Sequence, residues 1–191
     1  MKSLKGTETE KNLLASFAGE SQARNRYTYY ASKAKKEGYV QISAIFTETA
    51  DHEKAHAKTF FKFLQGGDVE VTATFPAGVI GSTEENLAAA AAGENHEWTV
   101  LYKEAAEVAD QEGFDEVAEI FRRISMVEEQ HEQRYRKLLQ NIKDGKVFER
   151  DTSRKWMCRN CGYVHEGKTA LNMCPACQHP LAHFEIKKEN Y

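Results

Sequence analysis

The sequence predicts a mainly α-helical protein, in which a four-helix bundle with one long crossover connection precedes a small cysteine-rich domain. Apolar residues recur at three- and four-residue steps in four long segments, which is typical of helices that bury one face. The connections between these segments are short, long and short. All four cysteines lie in two C-x-x-C pairs between Cys158 and Cys177, after the helical pattern has ended. These observations predict a helical bundle followed by a separate small terminal domain.

Two capping boxes mark where the first and third helices begin. Thr7 is followed three residues later by Glu10, and Ser82 is followed in the same way by Glu85. In such a box the hydroxyl and the carboxylate satisfy backbone N–H groups that the first helical turn leaves without partners. The first helix is expected to end near Gly38.

The second helix is expected to run from about Val40 to Gln65, with Leu64 as its last core residue, and to stop at two glycines. A connection of about seventeen residues (66–82), rich in Gly and Thr, follows it. Such a connection is long enough to cross the bundle, because antiparallel neighbouring helices need only a few residues between them.

Gly113 separates the third helix from the fourth, which is expected to end near Gly145. Two helical hairpins joined by one crossover are the arrangement of ferritin-like bundles. We therefore assign residues 1–146 to a ferritin-like bundle and residues 147–191 to a second domain. The second domain is too short to be stable through core burial alone, so a metal is expected there.

The two halves of the bundle are copies of one helical hairpin. The matching segments are Ala18-Gly19-Glu20 with Ala92-Gly93-Glu94, Glu37-Gly38-Tyr39 with Glu112-Gly113-Phe114, Ile45-Phe46 with Ile120-Phe121, and Phe63-Leu64 with Leu138-Leu139. The offset is 74 residues in the first match (94 − 20) and 75 in the second (112 − 37). The second copy therefore carries one extra residue in its first helix. We predict that a π-bulge between Glu94 and Tyr102 absorbs it.

Each copy contains one metal-ligand motif. It consists of Glu20 followed by Glu53-x-x-His56, and of Glu94 followed by Glu128-x-x-His131. Each acidic residue takes the place of a hydrophobe on the apolar stripe of its helix, where an unpaired carboxylate is costly to bury. Divalent cations resolve that imbalance, and this ligand set suits iron or manganese with open positions.

The repeat also predicts how the ligands divide between two metals. Glu53 and Glu128 are candidates to bridge two ions. One ion would then be held by Glu20 and His56, and the other by Glu94 and His131.

Further residues of the bundle are candidates for the same site. Glu97, three residues after Glu94, is a seventh candidate ligand whose counterpart in the first copy is Ala23. Tyr27 and Tyr102 correspond across the repeat and are either hydrogen-bond donors to the ligating carboxylates or ordinary core residues.

Three other side chains are assigned no role in the metal site. His52 and His96 are expected to lie off the apolar stripe in solvent, and Trp98 is expected to be a packing residue.

The four cysteines of the terminal domain predict a tetrahedral metal site. The ligands are Cys158, Cys161, Cys174 and Cys177. Four thiolates accept either zinc or iron, so a structural zinc ribbon remains an alternative to a redox site. Trp156 and Tyr163 are expected to cover the site. The histidines His165, His179 and His183 are expected at the surface, because the sulfur set is complete without them.

Composition excludes several function classes. The balance of 26 basic and 29 acidic residues forms no basic surface for nucleic acid. The N-terminus lacks an apolar signal-peptide region, and the longest apolar stretch (87–92) is too short to span a bilayer. We expect a cytoplasmic protein.

At this point the chain resembles the rubrerythrins over essentially its whole length. The motifs that carry the resemblance are Glu20, Glu53-x-x-His56, Glu94-x-x-Glu97, Glu128-x-x-His131 and the C-R-N-C-G and C-P-A-C segments. The resemblance implies a di-iron bundle, with two irons per chain, paired with a rubredoxin-like domain that holds one iron. It also implies a cytoplasmic homodimeric peroxidase in which this iron of one subunit serves the di-iron site of its partner. Electrons would come from reduced pyridine nucleotide through a reductase or a rubredoxin.

The resemblance also implies roles for individual residues. Glu53 and Glu128 would bridge the irons, and Glu20, Glu94 and Glu97 would be terminal carboxylates. His131 would hold one iron, and the other iron would exchange between His56 and Glu97 as the site is oxidised and reduced.

The leading hypothesis is thus a peroxidase that reduces hydrogen peroxide to water in oxidative-stress defence. Glu97, His56, Tyr27 and Tyr102 are its candidate catalytic residues, with a carboxylate or Tyr27 helping to move protons. A second hypothesis is a ferroxidase or iron-storage protein of the ferritin type. A third is an interaction protein with a zinc ribbon and a structural bundle site.

Overall fold

The computed structural model describes residues 2–190, and its bundle consists of four helical rods. Their parts are α1 (Glu8–Lys36), α2 (Val40–Phe61), α3 (Thr83–His96), a π-helix (Glu97–Leu101), α4 (Tyr102–Gln111) and α5 (Asp115–Lys143). The third rod is α3, the π-helix and α4 in succession. The prediction of a mainly α bundle of the ferritin type, with one long crossover, is confirmed.

The two predicted capping boxes differ in completeness. At the start of α3, Ser82 accepts from the N–H of Glu85 while the carboxylate of Glu85 accepts from the N–H of Ser82, so this box is complete. At the start of α1, the Thr7 hydroxyl accepts from the N–H of Glu10 as expected. The carboxylate of Glu10, however, accepts from Gly6 instead of Thr7. In the first box the carboxylate therefore binds the N–H of the residue before the N-cap, not that of the N-cap itself.

The second helix ends four residues earlier than predicted, at Phe61 instead of Gln65. The N–H groups of Phe63 and Leu64 reach back three residues, to the carbonyls of Phe60 and Phe61, at 3.2 Å each. Such bonds tighten the last turn and end the α-helix before the two glycines. Leu64 nevertheless packs against the core, as expected.

The predicted π-bulge is present in the third rod. The π-helix Glu97–Leu101 lies between Glu94 and Tyr102, where the second copy of the repeat carries its extra residue. The wider turn takes up that residue, so the ligand-bearing α3 and the tyrosine-bearing α4 both keep their faces toward the bundle interior.

Reciprocal contacts between the hairpins set the relative heights of the rods. Glu37, at the end of α1, accepts hydrogen bonds from the N–H and the hydroxyl of Thr83 at the start of α3. Glu112, at the end of α4, accepts the same pair from Thr9 at the start of α1. Each carboxylate thus caps the N-terminus of a helix in the other copy.

A polar layer divides the core of the bundle into two apolar clusters. One cluster contains Phe46 and Tyr135, and the other contains Phe60 and Phe121. Between them, every rod contributes buried carboxylates or imidazoles, and these are Glu20, Glu53, Glu94, Glu128 and His131. The polar layer is therefore enclosed by packed hydrophobic side chains on both sides along the bundle.

The terminal segment forms a small antiparallel sheet in the order β2–β1–β3. Its strands are β1 (Glu149–Cys158), β2 (Val164–Thr169) and β3 (Phe184–Ile186), with a 3-10 turn at Leu181–His183. Phe148 stacks on Tyr39 at the start of α2, with ring centroids 6.3 Å apart. Among residues 2–190, no helix has the length and hydropathy needed to cross a membrane.

Candidate metal centres

The buried polar layer brings the predicted ligands into two groups. One group consists of Glu20, Glu53, His56 and Glu128, and the other consists of Glu53, Glu94, Glu128 and His131. Within each group the possible ligand atoms all lie within 4.8 Å of one another. The two groups share Glu53 and Glu128, one residue from each E-x-x-H motif.

The shared carboxylates divide their oxygens between the two histidines. Glu128 places Oε1 2.9 Å from Nδ1 of His56 and Oε2 2.7 Å from Nδ1 of His131. Glu53 places Oε2 3.1 Å from His56 and Oε1 3.3 Å from His131. The unshared carboxylates lie beside one histidine each, Glu20 at 3.6 Å from His56 and Glu94 at 3.7 Å from His131.

The carboxylate oxygens and imidazole nitrogens of this layer are better placed to bind cations than to form hydrogen bonds with one another. Six of them are buried and, although several lie close to one another, form no hydrogen bond of suitable geometry in the described part of the chain: Oε2 of Glu20, Oε1 of Glu53, Oε2 of Glu94, both oxygens of Glu128 and Nδ1 of His131. Leaving buried polar atoms unsatisfied is costly. Two divalent cations would satisfy all of them, so the residues fit a two-metal site.

The electrostatics of the layer show how strongly its charges interact. Burial raises the pKa of Glu94, and the nearby charge of Glu53 adds to this, to about 8. Burial also raises the pKa of Glu53, but the contacts with His131 and His56 outweigh it and lower that pKa to about 2. Burial lowers the pKa of His131, but the surrounding carboxylates, Glu128 first, raise it to about 12. In the absence of cations, these shifts favour the protonated forms of Glu94 and His131, which reduces the repulsion between the buried carboxylates.

Two buried tyrosines bind the outer carboxylates across the hairpins. The hydroxyl of Tyr27 donates to Oε1 of Glu94, and that of Tyr102 donates to Oε1 of Glu20, each at 2.6 Å. Burial, followed by repulsion from the carboxylate that each one binds, raises the pKa of both tyrosines well above the usual value. Of the two interpretations left open by the sequence, the structure shows the hydrogen-bonded one.

Glu97 lies outside both groups. Burial raises its pKa well above the usual value, and repulsion from Glu94 and Glu20 adds to this, so its carboxyl lies within the electrostatic reach of the layer. His56 is the residue that completes the first group. The ligand role of Glu97 therefore stays a prediction.

The expectation that His52 lies in solvent is wrong. His52 is half-buried, and its Nδ1 lies 3.1 Å from Nε2 of His131 while the two rings stack. The signal was present in the sequence, because Thr49, His52 and His56 follow three- and four-residue steps on one helix. His96 is exposed, as expected.

Glu132 is a buried carboxylate that the sequence reasoning missed. It is 6% exposed and accepts from the indole of Trp98, from the Asn95 amide and from Arg136. Burial raises its pKa, but these donors, Trp98 first, lower it below the usual range. Trp98 is thus more than a packing residue.

The four cysteines converge on a second site. The Sγ atoms of Cys158 and Cys177 are 3.7 Å apart, and those of Cys161 and Cys174 are 3.6 Å apart. A tetrahedral metal with sulfur bonds of about 2.3 Å would separate its ligands by about 3.8 Å. The thiolates thus fit one tetrahedral ion, either zinc or iron. Trp156 and Tyr163 pack in the same small core.

The histidines of the terminal segment are less exposed than expected. His165, His179 and His183 are all half-buried. His179 and His183 contact each other edge to face, with centroids 4.5 Å apart. They lie outside the four-cysteine group.

Comparison with known families gives two matches along the chain. The family model described as rubrerythrin matches residues 11–139. The model described as the rubrerythrin rubredoxin-like domain matches residues 156–185. The first match includes most of all four helical rods, and the second includes all four cysteines.

Individual proteins give the same result. Rubrerythrin from Porphyromonas gingivalis is 62% identical over 190 residues, which cover 100% of this chain and 95% of that protein. Rubrerythrin from Nitratidesulfovibrio vulgaris is 58% identical over 191 residues and 100% of both chains. A structure of nigerythrin in a mixed-valence state is similar with a TM-score of 0.63 and 28% identity, covering 97% of this chain and 89% of that one.

Proposed function

The chain belongs to the rubrerythrin family of di-iron peroxidases of oxidative-stress defence, and on that premise we propose that it reduces hydrogen peroxide to water. Its Glu/His cluster is the ferritin-like di-iron site, and its four cysteines form the rubredoxin-like site. In our proposal the four-cysteine site relays electrons to the di-iron site.

One observation carries the proposal for the di-iron site. Glu53 and Glu128 each place one oxygen beside His56 and the other beside His131. Two carboxylates oriented in this way are suited to bridge two cations. We assign Glu20 with His56 to one iron and Glu94 with His131 to the other.

The asymmetry of the site suggests where its chemistry occurs. His56 belongs to the first group, while Glu97 lies outside it but within its electrostatic reach. The corresponding position in the first copy is Ala23, which offers no ligand. We propose that His56 and Glu97 exchange as ligands of one iron when the site is oxidised and reduced.

Reduction of one hydrogen peroxide to two waters consumes two electrons and two protons. When bound, the two irons would supply one electron each for cleavage of the O–O bond, and an iron held by the four cysteines would return those electrons one at a time. The chain supplies sites that hold protons. The hydroxyls of Tyr27 and Tyr102 each hold one 2.6 Å from a ligating carboxylate. Glu97, with its raised pKa, is a third candidate.

We further propose that the protein works in the cytoplasm as a homodimer, with electrons passing from the four-cysteine iron of one subunit to the di-iron site of the other. A reductase or a rubredoxin would deliver electrons from NADH or NADPH. Cys161 is exposed, so the four-cysteine site is open to such a donor.

Anaerobic reduction followed by rapid mixing tests the peroxidase assignment. The reduced protein is mixed in parallel with hydrogen peroxide and with oxygen, and reoxidation of both iron sites is followed by absorbance. We expect the reaction with peroxide to be the faster one. Equal rates, or a faster reaction with oxygen, would exclude the peroxidase and favour the ferroxidase alternative.

Metal analysis of the protein as isolated should give about three irons per chain, whereas zinc in the four-cysteine site would exclude the relay.

Substitution of Glu97 tests its proposed role separately. Glu97→Ala is expected to slow turnover while both iron groups remain loaded, because its carboxylate lies outside them. The exposed Glu104, about two turns further along the same rod, provides the control Glu104→Ala. Equal rates in the two variants would remove Glu97 from the mechanism.

A further inference from the structure

The carboxylate of Glu132 is enclosed by donors that come from two helical rods. Its Oε2 accepts from the indole N–H of Trp98 at 2.5 Å and from the amide of Asn95 at 3.0 Å. Its Oε1 accepts from Arg136 on its own helix at 2.5 Å. Since Glu132 is 6% exposed, water contributes little to these bonds. A buried charge held by three donors is a rigid attachment point.

Trp98 is attached to α5 at two places. Its indole donates to Glu132, and its backbone carbonyl accepts from the hydroxyl of Ser125 at 3.2 Å. Ser125 and Glu132 are seven residues apart on α5, which places them on the same face two turns apart. Between them on that helix lie two ligands of the di-iron site, Glu128 and His131.

The attached segment is the π-helix that carries Glu97. Trp98 follows Glu97 directly, and Asn95 lies two residues before it, so Glu132 binds the chain on both sides of this residue. A π-helix is rare and short, and its extra residue could in principle sit at other points of the rod. The contacts with Ser125 and Glu132 restrain it to the turn at Glu97.

We infer that Glu132, acting through Trp98 and Asn95, is a positioning residue that fixes the π-helical turn from which Glu97 approaches the di-iron site. The inference rests on the proposed function, because it assumes that Glu97 takes part in the reaction. The same helix then carries the ligands Glu128 and His131 and positions the turn that contains Glu97.

Hydrogen exchange of the full chain, loaded with ferrous iron, tests the restraint directly. Trp98→Phe removes the indole N–H and keeps an aromatic ring, while Glu132→Leu removes the acceptor. Both variants are expected to speed exchange of the amides of residues 97–103 about tenfold, because a hydrogen bond to a charged group is lost. Glu132→Gln, which keeps an acceptor oxygen, is expected to fall between. Glu119→Gln, on an exposed stretch of α5, is the control.

Activity measurements test whether the restraint acts through Glu97. In the wild-type background, Trp98→Phe is expected to lower the rate of reoxidation by peroxide about tenfold with iron content unchanged. In the Glu97→Ala background the same substitution is expected to have no further effect. If it lowers the rate equally in both backgrounds, Trp98 acts by another route and the inference is overturned.

The outcomes separate this inference from the proposed function. If the wild-type protein reacts no faster with peroxide than with oxygen, the peroxidase proposal fails. The comparison of Trp98→Phe in the wild-type and Glu97→Ala backgrounds is then repeated with oxygen as the oxidant. If amides 97–103 exchange at the wild-type rate in both Trp98→Phe and Glu132→Leu, the positioning role fails whatever the reaction is. Should Glu132→Leu not fold, the Trp98→Phe result alone decides.

Discussion

The hydroxyl of Tyr102 donates a 2.6 Å hydrogen bond to Oε1 of Glu20, and the two residues belong to different copies of the repeated hairpin. The mirror contact, from Tyr27 to Glu94, has the same length. Each outer carboxylate of the di-iron site is therefore oriented by a tyrosine of the opposite hairpin. One oxygen is occupied by the phenol, and the other is free to face a metal.

Replacing either tyrosine by phenylalanine should weaken the site without unfolding the bundle. Tyr27→Phe and Tyr102→Phe remove the orienting donor and leave a buried carboxylate oxygen without a partner. We expect iron affinity or turnover with peroxide to fall by about 10- to 100-fold. Iron titration and stopped-flow mixing measure the two effects. Tyr29→Phe, at an exposed position of α1, should behave as the wild type. Unchanged affinity and rate in both variants would show that the two tyrosines contribute packing only and that their hydrogen bonds do not affect the site.

The metal-free protein should lose stability as the pH rises. The pKa of Glu94 is raised from 4.5 to about 8, and that of His131 from 6.5 to about 12, so both groups bind protons more tightly in the folded chain. Stability of this kind is full below the unfolded pKa and is lost as the pH rises through the folded one. After removal of the metals by a chelator, the melting temperature should fall by at least about 5 °C between pH 6 and pH 9.

The loaded protein provides the control for that experiment. Metal binding requires deprotonated ligands and strengthens as the pH rises. The gain in melting temperature on loading with iron should therefore be larger at pH 9 than at pH 6. A metal-free protein that becomes more stable between these pH values would contradict the charge arrangement around Glu94 and His131.

The sequence predicted the ligand layer and the π-helix because the chain contains its own reference copy. Comparison of the two hairpins located the extra residue between Glu94 and Tyr102 without any structural information. The end of α2 was harder to predict. The two glycines were the strongest stop signal, but i to i−3 hydrogen bonds had already ended the α-helix at Phe61. Such tightening depends on how the final turn packs, which a single helix does not reveal.

The residues around His131 were missed because their partners come from other helices. His52 belongs to α2 and contacts His131 on α5, while Glu132 on α5 contacts Trp98 in the third rod. Periodicity assigns a residue to a face, but it gives no register between two helices. A charged residue next to a ligand is usually solvated, so burial of Glu132 became evident only from the structure.

His52 is expected to support metal binding through His131. His131 directs Nδ1 toward the ligating carboxylates, and its Nε2 lies 3.1 Å from Nδ1 of His52. When Nδ1 binds a metal, the proton of His131 resides on Nε2, which then donates to His52. His52→Leu removes the acceptor and should weaken binding at the Glu94–His131 group about 10- to 100-fold, measured by titration with ferrous or cobalt ions. His52→Gln retains an acceptor and should recover most of the affinity. The exposed His96 supplies the control His96→Leu. Equal affinity in His52→Leu and in the control would mean that His52 only packs against His131.

Loss of one sulfur ligand should separate the two iron sites functionally. Cys161 is exposed and its sulfur lies 3.6 Å from that of Cys174, so Cys161→Ser removes a ligand at the edge of the terminal segment, away from the bundle core. We expect steady-state reduction of peroxide, with electrons from a reductase, to fall about 100-fold or more. A single reaction of the chemically reduced di-iron site with peroxide should keep its rate, because the bundle ligands are unchanged. The nearby exposed Met173 gives the control Met173→Ser. Full steady-state activity in Cys161→Ser would show that electrons reach the di-iron site without the four-cysteine iron, and the relay would have to be abandoned.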